Sequence, residues 1–327
     1  GLDALAETLK PVAGEGAVAR LFCGDLFHVR GKITPSVFNP AFESFSGAHG
    51  LHDFADVLLV GNHDMQHRSE GDHALSAFRE IDGCHVLDGH GYALIGTPEG
   101  KLGIGYVSYS PDVKTLKERV EQVAAMARID DVAAKKVFLL HHGVDGAMPN
   151  IPDMGFAPNH LPTRDFDFVF CGDYHNHKQL ADNAWMVGAT MQHTFGDAGE
   201  ARGYMVVDLD TAEAELREIS CAPRFVTWDE GKRAPKAHDC NGNFVRVRAD
   251  DEDKLAKMQQ LVEKAGALAV QAELVRDWKA IERSDTSLSL TTRELFASWL
   301  DTQALHGLDR DALIRLNDSV LGEAGVA

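Results

Sequence analysis

Four short apolar runs in this chain each stop abruptly at a residue able to bind a metal ion: RLFCGDLFH (20–28), DVLLVGNHD (56–64), KVFLLHHG (136–143) and FDFVFCGDYHNHK (166–178). Their length and their content of Val, Phe and Leu predict buried strands, since they are too short for helices. At their ends stand Asp25, Asn62, His141, and Asp173 with His175. In open α/β sheets the carboxyl ends of strands share one crevice, and ligands bind there. Four strand ends that deliver oxygen and nitrogen donors to one crevice predict an α/β chain built around a metal site.

Composition narrows the class. The 327 residues allow one large domain with an appendage, or two modest domains. The formal net charge of −18 argues against broad nucleic-acid binding through a basic surface. It leaves room for a nucleic-acid enzyme, because divalent ions add local positive charge. No apolar run reaches the roughly 18–20 residues of a membrane span, and no signal peptide is visible. The five cysteines are scattered with no CxxC pair, as expected of free thiols in a reducing cytoplasm. The expected location is therefore cytoplasmic (the host cytoplasm if the chain is phage-encoded), with no membrane partner.

Residues 1–10 have helical spacing, and strand, loop and helix then alternate to about residue 180. The stretch 114–128 predicts an amphipathic helix with Leu116, Val120, Val123 and Ala127 on one side. After residue 180 shorter β-like runs follow (AWMVGAT, GYMVVDLD, AELREIS, RFVTWDE). These read as antiparallel and suggest a two-sheet core. The polar, turn-rich segment 231–243 is the expected boundary; beyond it lie a small βαβ-type module at 244–276 and two amphipathic helices at 291–305 and 309–321. The expected division is a core at 1–230, a small module at 240–280 and a helical segment at 285–327.

Asp, Asn and His donors together suit Mn²⁺, Fe²⁺ or Zn²⁺ better than a thiolate site would. Asp25 is the natural bridge between two ions, because a carboxylate has two oxygens; Asn62 offers a neutral carbonyl oxygen, and His141, Asp173 and His175 complete the set. His63 follows Asn62 directly, so its side chain points away from the ligand and can protonate a leaving phosphodiester oxygen. Asp64 either orients that imidazole or caps the turn. Taken singly, GD and GNHD are also ordinary β-turn sequences. It is the recurrence of such ends that points to a metal centre.

These motifs resemble the calcineurin-type metallophosphoesterases, whose pattern is D-x-H, GD, GNH[DE], H and GHxH. GDLFHVRGKITPS (24–36) and VGATMQHTFGDAGEARGYMVVDLD (187–210) resemble the SbcD-type double-strand-break repair nucleases more narrowly. The resemblance covers residues 15–210 and extends loosely to the module, which would match a DNA-capping domain. It implies an α/β (α+β) fold: a four-layer core of two mixed β-sheets flanked by helices, with a small C-terminal α/β capping module and terminal helices. It also implies two divalent ions, Mn²⁺ foremost, with Fe²⁺, Zn²⁺ or Mg²⁺ as alternatives. His63 would be the catalytic acid and His28 would position the substrate phosphate. The implied activity is metal-dependent exo- or endonucleolytic cleavage of DNA, with an SbcC-type coiled-coil ATPase as partner docked on the last two helices, and a homodimer within that complex. The alternative is a small-molecule phosphodiesterase or phosphatase of the same fold.

Two departures stand out. GHxH appears as GDYH, so Asp173 stands where a histidine is expected; His175 with His177 is the other register, less favoured because Gly172 suits the strand-end turn. No D-x-H motif precedes Gly24-Asp25. The preferred expectation is that an apolar strand ending in Asp-x-His lies upstream of Gly1, and the alternative is a metal-deficient relative.

Overall fold

A computed structural model describes residues 16–28, 30–49, 55–67, 71–148, 151–275, 292–301 and 309–323, together with Leu5 and Thr8. The helix expected at 1–10 falls almost wholly outside the described residues. Two compact units are present, Gly1–Leu274 and Val275–Ala327.

The larger unit begins with β1 (Ala19–Phe22), α1 (Pro35–His49), β2 (Ala55–Leu59) and β3 (Cys84–Leu87). Then come β4 (His90–Thr97), β5 (Gly100–Val107), α2 (Val113–Ile129), β6 (Lys135–His141), β7 (Phe168–Gly172), β8 (Lys178–Ala181) and β9 (Ala184–Met186). The hairpin β10 (Gly203–Val207) and β11 (Ala214–Glu218) leads to β12 (Phe225–Asp229), α3 (Ala237–Cys240), β13 (Phe244–Ala249), α4 (Glu252–Lys264) and β14 (Ala269–Leu274).

Strands β1-β2-β3 form a parallel sheet, and a second, mixed sheet has the order β4-β5-β6-β7-β9-β8. Strand periodicity arranges the layers, because alternate side chains leave opposite faces. From β2, Val57 and Leu59 enter a core shared with Val137 and Leu139 of β6 and with Phe168 and Phe170 of β7. Their neighbours Leu58 and Val60 turn the other way, onto Ala41 and Phe45 of α1. On the far side of the mixed sheet, Phe138, Leu140, Val169 and Cys171 pack on Leu116, Val120, Val123 and Ala127 of α2. The layers therefore run helix, sheet, sheet, helix. This is the mixed α/β architecture expected, with several sheets flanked by helices.

Helix α2 starts where its sequence calls for it: the Asp112 carboxylate accepts from the Thr115 amide at 2.8 Å, as an N-cap does. Under α1, Phe78 is fully buried and meets Phe27, Phe38, Phe42 and Phe45 edge-on, with centroids 5.3–6.3 Å apart. Phe27 lies between Asp25 and His28, so this aromatic cluster anchors the loop that follows β1. Replacing Phe78 with alanine is expected to cost about 3–5 kcal/mol of unfolding free energy. Urea unfolding measures this, and a loss below about 1 kcal/mol would contradict the anchoring role.

Two strands fall differently from their sequence reading: β9, in the run AWMVGAT, is antiparallel to β8 but parallel to β7, and β12 departs further. RFVTWDE was expected among the antiparallel core strands, yet β12 pairs in parallel with β13, Phe225 opposite Phe244, and β13 pairs with β14. The module's sheet therefore begins before the 231–243 segment, which connects β12 to β13. Pairing partners more than a dozen residues away decide this, not local pattern. Met258 and Val262 of α4 close the module's core over Val245 and Val247.

The smaller unit contains α5 (Thr292–Asp301) and α6 (Arg310–Glu323). Asp309 caps α6, accepting from the amides of Asp311 and Ala312 at 2.8 and 3.1 Å. Arg310 pairs with Asp301 and Arg293 with Asp318, holding the two helices together. Residues 276–291, which include parts of the expected module and helical segment, lie outside the described residues. Among the described residues no helix is long and apolar enough to cross a membrane.

Candidate metal centre

Two strand ends from each sheet meet in one crevice. Asp25 follows β1, Asn62 follows β2, His141 ends β6 and Asp173 follows β7. Ligand atoms of Asp25, His141 and Asp173 lie within 4.8 Å of one another. His141 Nε2 is 3.3 Å from Asp25 Oδ1 and 3.8 Å from Asp173 Oδ1. His141 is completely buried, and its Nδ1 donates to the Cys23 carbonyl at 2.6 Å, which turns Nε2 toward the carboxylates.

The backbone at these ends is shaped for close approach. A Cβ on Gly24 would fall on the His141 imidazole, and one on Gly61 would fall on Asp25 itself. Those glycines explain why the strand ends read GD and GN. Asp25 and Asp173 both have positive φ, 59° and 96°, which few side chains other than Asn and Asp adopt. Such strain persists where surrounding contacts over-determine it, and it gathers at functional sites.

Asp64 supplies those contacts. It is buried, and its carboxylate accepts from three amides: Asp25 and Gly61 at 2.9 Å and Phe27 at 3.0 Å. It thus ties the loop after β1 to the turn after β2. Of the two roles open to Asp64 in the sequence, the structure gives it a wider form of the turn cap. Burial pushes its carboxyl up to about 6.

His63 donates its amide to Asp25 Oδ1 at 2.8 Å, and its Nδ1 lies 2.6 Å from the His28 carbonyl oxygen. The His28 and His63 rings stack with centroids 5.2 Å apart. His175 lines the same cavity but is not part of the three-residue cluster; its ring packs on His193 at 4.5 Å. His177, the other register, is also outside that cluster, whereas Asp173 is within it.

The donors fit a divalent cation. Among the described residues, His141 Nε2 and Asn62 Oδ1 are buried polar atoms with no hydrogen-bond partner. They are two of nine such atoms among the described residues and the two that belong to the preferred ligand set; His177 Nδ1, of the other register, is another of the nine. The electrostatics agree. Burial alone would raise the Asp25 carboxyl, but neighbouring His141 and His63 outweigh it and hold it below the usual carboxylate range. Burial alone would lower His141, yet the adjoining Asp25 and Asp173 carboxylates raise it to about 9, as a cation in their midst would be favoured. Metal binding must displace that proton, so affinity should rise with pH.

A cavity of about 1780 Å³ leads to this centre. It runs along β1, beside the β10–β11 hairpin, over the apolar side chains of Leu102, Val137, Phe170 and Val187. Thr190, Met191 and His193 also line it; they belong to the stretch 187–210 that carries the resemblance, in which sequence reasoning gave no residue a chemical role. There Asp197 accepts from the amides of His193 and Thr194 at 2.8 Å and from Arg202 at 2.8 Å. Arg202 also donates to Asn176 Oδ1 at 2.8 Å, joining this loop to the residue after His175. The T-F-G-D turn, capped by Thr194, was the local signal for it.

Burial would raise the Asp197 carboxyl, but the His193 amide, Arg202 and the Thr194 amide hold it down to about 2, from 3.8. A depressed carboxylate stabilises the fold above its unfolded pKa and loses that contribution as pH falls through the folded value. Asp197→Asn should therefore flatten the acid limb of thermal stability between about pH 4 and pH 2. Melting curves across that window test this, and parallel limbs in both proteins would rule it out.

No protein-family model matches the chain, and no curated protein matches it. Among solved structures, the crystal structure of TT1561 of Thermus thermophilus aligns over 66% of this chain and 93% of that one, at 16% identity and a TM-score of 0.40. That likeness is distant. The chemistry has to be read from the side chains.

Proposed function

We propose that this protein is a metal-dependent phosphoesterase that hydrolyses phosphodiesters, with DNA as its substrate and an SbcC-type ATPase as its partner. The observation that carries the hydrolase reading is the convergence of Asp25, His141 and Asp173, with His63 bonded to Asp25 through its amide and the carbonyl of Asn62, the residue before it, buried without a partner. Asp25, Asn62, His141, Asp173 and His175 would hold two divalent ions, with Mn²⁺ suited to this mix of donors. Bound there, such ions supply a water of lowered pKa and neutralise the phosphate charge.

The chain's own residues supply the rest. The His28 carbonyl accepts from His63 Nδ1, which leaves Nε2 as the second nitrogen of a ring that lines the cavity. In the protonated ring Nε2–H gives its proton to the leaving oxygen as the phosphorus–oxygen bond breaks. His28, stacked on His63, sits where a substrate phosphate would approach.

The resemblance of residues 24–36 and 187–210 to SbcD-type nucleases, and the module at β12–β14, favour DNA over small substrates. A net charge of −18 favours the second reading, a small-molecule phosphodiesterase. The deciding experiment incubates the Mn²⁺-loaded protein with single- and double-stranded DNA and with bis-p-nitrophenyl phosphate, with and without the ATPase. DNA cleavage supports the proposal; turnover of the small diester alone moves the assignment to the second reading. Inertness toward all of them defeats both.

His63→Gln is expected to lower kcat on DNA by about 10²–10⁴-fold while leaving bound metal unchanged. The loss should be much smaller on the nitrophenyl ester, whose leaving group needs no proton. Equal losses on both substrates would remove His63 from the acid role.

A further inference from the structure

Three imidazoles beyond His63 border the cavity, and one of them has no assigned part. The rings follow one another around its rim: His63 to His28 at 5.2 Å, His28 to His193 at 6.0 Å, and His193 to His175 at 4.5 Å. His28, His63, His175 and His193 all line the cavity that reaches Asp25 and Asp173. No hydrogen bond joins the side chain of His193 to any described residue, and the residue is exposed.

Its backbone, by contrast, is held on both sides. The His193 amide donates to Asp197, which is buried and paired with Arg202, and Arg202 grips Asn176 beside His175. Gln192, the residue before it, accepts from the Phe225 amide of β12 at 2.7 Å. A ring with free nitrogens on a fixed backbone, at the mouth of a crevice, is a preorganised hydrogen-bond donor. Asp25 and Asp173 make the crevice acidic, so an anionic substrate needs donors at the rim to approach it.

We propose that His193 is a phosphate-binding residue: one imidazole N–H donates to a non-bridging oxygen of the phosphate held over the Asp25–His141–Asp173 cluster. The proposal rests on the phosphoesterase reading for its substrate class, phosphate monoanions and diesters. The role is a contact to substrate, over a cluster that His193 does not join.

The test measures inorganic phosphate binding to the Mn²⁺-loaded full chain by titration calorimetry, alongside metal content and hydrolysis of bis-p-nitrophenyl phosphate. His193→Ala should weaken phosphate binding by about 10- to 100-fold, as expected for one lost hydrogen bond to a charged group, with metal content unchanged. KM should rise by a similar factor. His193→Gln, which keeps an N–H donor, should recover most of the affinity. Equal phosphate affinity in wild type and His193→Ala, no phosphate binding by the wild type, or loss of metal from the alanine variant would each overturn the proposal. A wild type that binds phosphate through His193 yet hydrolyses nothing would instead defeat the phosphoesterase reading and leave this assignment standing.

Discussion

Replacing Asp25 with asparagine is expected to cut phosphodiester hydrolysis by at least about 10²–10³-fold, the scale at which removing one group that stabilises transition-state charge is felt. The variant isolates charge from structure. Asparagine tolerates the positive φ of 59° that Asp25 adopts, so the backbone should keep its path. Its amide oxygen can still accept from the His63 amide, a bond of 2.8 Å in the native protein. What it lacks is the negative charge and the second oxygen a bridging ligand needs. Bound Mn²⁺ should fall with activity while the melting temperature stays nearly constant. Metal analysis and rates on one preparation check this, and a variant that holds metal and turns over within about twofold of wild type would remove Asp25 from the centre.

Asp64→Ala is expected to have the largest effect on stability. Three buried amides, those of Asp25, Phe27 and Gly61, lose their acceptor together. Each buried donor left unsatisfied costs about 1–3 kcal/mol, so the total is on the order of 3–6 kcal/mol after partial relaxation. Against the roughly 5–15 kcal/mol that holds a typical domain together, that is a severe loss. Asp64→Asn should lie between, because its amide oxygen still accepts while its NH₂ faces another donor. Activity should fall in both variants, since the loops bearing Asp25 and Asn62 are tied through this carboxylate. Chemical denaturation orders the three proteins; an alanine variant as stable as wild type would show that the loops hold themselves.

The metal-bearing strand ends were legible in the sequence because their causes are local. Short runs rich in Val, Phe and Leu marked the strands, and GD, GNHD and GDYH marked where they stop. Helix α2 was equally readable from its 3.6-residue stripe, and α6 from the amphipathic pattern of 309–321. Other roles were hidden, and for one reason. Asp64 acts on residues 37 and 39 positions away, and a carboxylate in GNHD looks the same whether it caps one turn or ties two loops. His193 stands 18 positions after His175, and long-range hydrogen bonds, from the Ala189 amide to the His175 carbonyl and through Asp197, Arg202 and Asn176, bring the two rings together. β12 carries no local mark of the strand it pairs with, so its place beside β13 was set by partners beyond the turn-rich segment.

By itself, the sequence determined which residue types stand at the strand ends, and hence that oxygen and nitrogen donors would meet in a crevice. That follows from backbone periodicity and from the sterics of glycine, both of which act over a few residues. Only the tertiary structure decided which donors meet. It brought Asp25, His141 and Asp173 within 4.8 Å and set the His175 ring against His193. It also left the His141 nitrogen and the Asn62 oxygen buried without partners. Those outcomes depend on how two sheets pack face to face and on which distant amides one carboxylate gathers, interactions whose geometry no short stretch of chain contains.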